Sequence, residues 1–152
     1  MLMQYNATPP TVVNGTSVEA QSSVRGELLV RLSNESVLVA RLLSAAASTN
    51  ATVVKATPGN LFTIVGVNVN AAARYLKIYN KATAPTVGTD TPVATLYLPP
   101  TAVNGGQFFY NFMSQPLDFS AGIGYALTTA AADADTGALT AGDVIALNIT
   151  YA

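Results

Sequence analysis

Apolar side chains recur at every second position through most of this chain, and that period of two constrains its fold more than any other feature. The clearest instance runs from Arg74 to Pro99. Leu76 and Ile78 point one way along a strand while Tyr75, Lys77 and Tyr79 point the other; after a polar loop, Ala94, Leu96 and Leu98 alternate with Val93, Thr95 and Tyr97. Pro85 and Pro92 fix φ within the loop, Gly88 permits positive φ, and Asp90 and the nearby threonines can bond back to the backbone. A loop so built can be ordered without secondary structure, and it is expected to touch a partner.

The same period organises what flanks this stretch. Residues 1–48 read as an extended arm followed by a β-hairpin, and residues 49–152 as a β-sandwich. The arm, Met1 to Gln21, carries Pro9, Pro10 and the Asn14-Gly15 turn with isolated apolar groups, of which Tyr5, Val12 and Val13 favour docking along another chain. Alternation over Val24 to Leu43, broken by Ser33-Asn34-Glu35, predicts the hairpin; a helix from Ser36 to Ala47 is the alternative, because LVARLLSAAA contains good helix formers. Ser44 to Asn50 reads as a linker.

Further strands are expected at Ala51 to Thr57, at Leu61 to Asn70, with Leu61, Thr63, Val65, Val67 and Val69 on one face, and at Gly122 to Thr129. The last is Asp143 to Tyr151, where Val144, Ala146, Asn148 and Thr150 oppose Ile145, Leu147, Ile149 and Tyr151. Between them, Phe108, Phe109, Tyr110 and Phe112 form an aromatic cluster. Seven or more short strands with turn signals predict an all-β chain, an antiparallel sandwich or jelly-roll-like domain.

Composition narrows the function. Of 152 residues half are hydrophobic and only 10% are charged, so much of the surface must be threonine, serine, asparagine and alanine, which suits a surface covered by neighbours. A net charge of −1 with no block of like charge removes the main driving force for binding nucleic acid. Cysteine, histidine and tryptophan are absent, which removes thiolate and imidazole metal ligands and the commonest general base. No stretch has the length of a membrane span or the form of an export signal, so a cytoplasmic site of synthesis is expected, with the five Asn-x-Ser/Thr triplets unmodified.

Three constellations have residue types suited to chemistry. Asp133-Ala134-Asp135-Thr136-Gly137 resembles the start of a calcium loop, but counted from Asp133 the glycine falls fifth rather than sixth and the twelfth residue is Val144, so a polar turn is expected. The carboxylates Asp118, Asp133, Asp135 and Asp143 lack the tryptophan-lined cleft of a glycosidase, although Tyr97, Tyr110 and Phe109 could form a stacking platform for sugar. Neither Gly122-Ile123-Gly124 nor Asn104-Gly105-Gly106 opens a helix, so neither cradles a phosphate. No catalytic residue, cofactor or metal site is expected.

Longer motifs carry a resemblance. Tyr75 to Ala82, Pro85 to Val93, Phe119 to Ile123 and Asn148 to Tyr151, with Tyr5 to Thr11 and Arg25 to Val30 upstream, resemble small structural proteins of tailed bacteriophages. The resemblance implies a non-enzymatic decoration or cement protein, homotrimeric, made in the host cytoplasm and bound to the major capsid protein on the outer surface of the head. A tail- or fibre-associated module that binds carbohydrate or a receptor is the alternative. The contact residues expected are Tyr5, Pro9, Pro10, Val12, Pro85, Val87, Asp90, Pro92 and Phe109.

Overall fold

The structure, a computed structural model, describes residues 36–152. The arm and the first strand of the expected hairpin lie outside these residues, and with them Tyr5, Pro9, Pro10 and Val12. The described residues form nine strands: β1 (Leu38–Ser44), β2 (Thr52–Lys55), β3 (Gly59–Asn68), β4 (Arg74–Asn80), β5 (Ala94–Leu98), β6 (Gln107–Asn111), β7 (Leu117–Phe119), β8 (Ile123–Thr128) and β9 (Val144–Tyr151). A single 3-10 turn, Asn104–Gly106, precedes β6.

Two antiparallel sheets pack face to face as a β-sandwich. One runs β1-β9-β3-β6, with β7 also paired to β3; the other runs β2-β8-β4-β5. Leu61, Ile64, Phe108, Phe119, Val144, Leu147 and Ile149 of the first sheet meet Leu76, Ile78, Leu98, Ile123, Tyr125 and Leu127 of the second, and burying these side chains is what holds the sheets together. Of strands consecutive in the chain, only β4 and β5 pair with each other among the described residues. They are the two arms of the stretch from Arg74 to Pro99.

Residues 38–44 form a strand, as their alternation predicts, and not the alternative helix; β1 joins the sandwich by pairing with β9 from Leu38↔Tyr151 to Ser44↔Ile145. Other local expectations are corrected. The boundary expected after residue 48 therefore does not separate β1 from the sandwich. The expected linker is an ordered turn: the Asn50 carboxamide accepts from Ala46 N–H and donates to the Ala46 and Ser48 carbonyls, and Ala45 is buried.

Two bulges break the simple alternation. Between Leu61 and Thr63 the register of β3 against β9 slips, so Leu61, Ile64 and Asn68 are buried while Val65 and Val69 are exposed. A second slip surrounds Ala146, whose φ of 51° is left-handed. It places Val144, rather than Ile145, in the core with Leu147 and Ile149.

Candidate functional site

The two outer faces of the sandwich differ. On the four-stranded sheet, Tyr75, Lys77 and Tyr79 point away from the core as expected, yet Lys77 and Tyr79 are almost wholly buried. Small residues on β8 make this possible. Gly124 lies opposite Tyr79 and Ala126 opposite Lys77, and Pro85 packs over Gly124, where an added Cβ would meet Pro85 Cδ at 3.3 Å. The loop between β4 and β5 thus folds back on its own sheet.

A second loop completes the cover. The Lys77 ammonium donates to the carbonyls of Ala132 (2.6 Å), Asp135 (3.1 Å) and Asp133 (3.3 Å), which fastens the acidic turn to β4. It occupies the place among backbone oxygens that a hard cation would take. Among the described residues no cluster of three or more acidic groups could hold a metal ion. Gly88, at φ 84°, lies against Thr136 and Ala134, so the two loops touch each other, and a side chain at position 88 would collide with Thr136.

Expected contact residues in this loop are engaged internally. Pro85 is buried, and Val87, Asp90 and Pro92 are half-buried. Asp90 accepts from Lys81 and from Thr86 N–H, bonds that hold its carboxyl below the ordinary range. Among the described residues the Tyr79 hydroxyl has no hydrogen-bond partner. Burial, reinforced by the charges of Asp90 and Asp133, pushes this phenol upward. Near the end of the sandwich, buried Arg74 pairs with Asp143 at 2.7 Å, and Asp143 also accepts from Asn70 and from Thr140 N–H.

The outer face of the five-stranded sheet is bare among the described residues. One row of side chains crosses it as Arg41, Asn148, Val65 and Phe109, and the next as Val39, Thr150, Thr63 and Asn111. Val39, Leu43, Val65 and Phe109 are exposed, Phe109 by 64%, while its neighbour Phe108 turns inward at 6%. Phe109 is therefore displayed as expected, but on the opposite face of the sandwich from the Pro85 to Pro92 loop. The three-ring platform does not form either: Tyr110 is half-buried and donates to the Tyr97 carbonyl at 2.5 Å, and Tyr97 sits edge-on to Tyr75 on the other sheet.

The edge formed by β1 borders this bare face. Sheet edges are ordinarily protected by shortness, bulges, charge or proline. β2 has four residues and a bulge before Lys55; β5 is bracketed by Pro92 and Pro99-Pro100; β6 and β7 are short. β1 has seven residues in unbroken register, rich in leucine and valine, with Arg41 its one charge, and no described residue pairs with its outer side. The exposed strand and the mixed apolar and polar rows beside it are the principal candidate contact surface. Sequence reasoning missed this surface, although the apolar side chains on both parities of Val37 to Leu43 were a signal for it.

No family model matches the chain, and no curated protein or solved structure matches it. No helix among the described residues is long and apolar enough to cross a membrane.

Proposed function

We propose that this chain is a non-enzymatic structural component of a phage virion, a decoration or cement protein that binds across neighbouring major capsid subunits on the outside of the head. The observation that carries the reading is the β1 edge, with which no described residue pairs on its outer side, continuous with a sheet face that is bare among the described residues and displays Val39, Leu43, Val65 and Phe109. Such an edge offers backbone hydrogen bonds to an added strand, and the adjoining side chains supply apolar area. With 10% charged residues there is little electrostatic steering, so affinity must come from area and backbone pairing. A homotrimer would multiply that area, because linked binding to equivalent shell sites raises occupancy above that of one site. The phage-like motifs of the sequence support the same reading.

The test is reconstitution. Capsids stripped of the protein are expected to lose resistance to heat, and adding it back should restore resistance. Val39→Lys together with Leu43→Lys, both at exposed positions, should weaken rebinding while leaving the fold intact. Localisation to the tail, or stripped capsids as robust as decorated ones, would refute the proposal.

A further inference from the structure

The groove beside Phe109 has a chemistry unlike that of the β1 edge. Its volume is about 520 Å³, within the range of small-molecule sites, and its walls include Val65, Val67, Asn104, Gln107, Phe109 and Asn148. The ring of Phe109 stands largely exposed next to Val65, a flat apolar surface open to a ligand. Every polar side chain in the lining is a carboxamide, which offers both a donor and an acceptor, and none is charged. Asn148 donates to the Ala146 carbonyl at 2.9 Å, which orients its amide and leaves its oxygen as an acceptor.

The walls are also shaped by unusual backbone. Of the three described non-glycine residues with positive φ, two line this groove, Asn104 at 49° and Ala146 at 51°. Left-handed backbone is routine for Asn104 but costly for Ala146, which the bulge in β9 holds there, so the groove wall at Ala146 is set by the sheet itself. The row from Asn148 through Val65 to Phe109 covers two strand spacings, about 10 Å at ~4.8 Å each, which leaves room for a disaccharide unit.

We propose that this groove binds a neutral oligosaccharide, with the C–H face of one ring on Phe109 and hydroxyls bonded to Asn104, Gln107 and Asn148. The lining itself favours the ligand: a hydroxyl-rich uncharged chain matches its uncharged donors and acceptors, and the nearest charge along its row, Arg41, stands outside the lining, one strand beyond Asn148. The proposal does not depend on the virion reading: it shares Val65 and Phe109 with the face described above but uses neither the β1 edge nor a capsid.

The test is a heteronuclear NMR titration of the full chain with maltohexaose, cellohexaose and N-acetylchitohexaose in turn. At least one should shift amides of residues 104–109 and 146–148 at millimolar concentration. Phe109→Ala should weaken binding by about tenfold or more, Gln107→Ala should weaken it less, and Tyr97→Ala, on the other sheet, should leave it unchanged. The same spectra report whether each variant is folded. Absence of shifts with all three sugars, or shifts centred on Tyr97, would overturn the proposal. A change of native mass in Phe109→Ala without loss of sugar binding would also overturn it, because it would make this face an interface between copies.

Discussion

Lys77→Met removes the buried ammonium and keeps most of its apolar stem, which isolates the contribution of the carbonyl cage. The wild-type side chain is fully buried and makes three bonds to the carbonyls of the 132–135 turn. Hydrogen bonds to a charged group contribute about 1.5–3 kcal/mol each. Two effects offset their loss: methionine avoids the desolvation cost of an ammonium, and the freed carbonyls, on an exposed turn, can rotate to water. The expected net loss is therefore about 1–3 kcal/mol. Lys77→Ala removes three further methylenes at ~0.8 kcal/mol each, for a total of about 3–5 kcal/mol. Urea unfolding measures both variants, and amide exchange reads the turn directly. In Lys77→Met, residues 130–137 should exchange faster by more than the global loss explains, because the turn can open while the sheets stay packed. A methionine variant as stable as wild type, with protection of the turn unchanged, would show that the cage holds nothing.

Two other perturbations test the packing. Phe108→Ala should cost about 3–5 kcal/mol and Phe109→Ala within about 0.5 kcal/mol, measured by thermal or urea unfolding; equal costs would contradict the alternation of β6. Burial pushes the Asp143 carboxyl up, but the bonds from Asn70, Arg74 and Thr140 and the Arg74 charge pull harder and leave it below its ordinary value. Its contribution is therefore present above the unfolded value of about 3.9 and is lost as pH falls below that, through the folded value. Asp143→Asn should cost about 3–5 kcal/mol at neutral pH by leaving Arg74 buried without its partner charge, and should flatten the acid limb of the stability curve. An unchanged acid limb would refute this assignment.

The strands were legible because a half-buried strand writes its two faces in alternate residues, as in Ala94, Leu96 and Leu98 of β5. What alternation cannot show is where an extra residue enters. The bulges at Leu61/Thr63 and Ala146 each transfer the rest of a strand to the other parity, so Val144 rather than Ile145 reaches the core. Nor does alternation show a loop returning over its own sheet. Lys77 reads as a solvent-facing lysine, and only the tyrosines at 75 and 79, apolar on the outward parity, signalled that this face would be covered. The same holds for the proline-bracketed loop: its prolines and glycine signal order, but not that the order comes from Pro85 packing on Gly124 and Gly88 on the 134–136 turn. Phe109 was legible, because adjacent Phe108 and Phe109 cannot share one face of a strand.

The position of β9 has a consequence for the order of events during synthesis. It is the last strand of the sandwich in the chain, yet it lies between β1 and β3 and supplies their common partner. On the ribosome, a chain that has emerged only as far as β8 can build β2-β8-β4-β5, but β1 and one side of β3 still lack the partner they share among the described residues. Every pairing of β1 to β9 spans more than a hundred residues of sequence. Closure of the five-stranded sheet must therefore wait for translation to pass residue 151, and until then the β9-facing sides of β1 and β3 are available to neighbouring nascent chains on the same message.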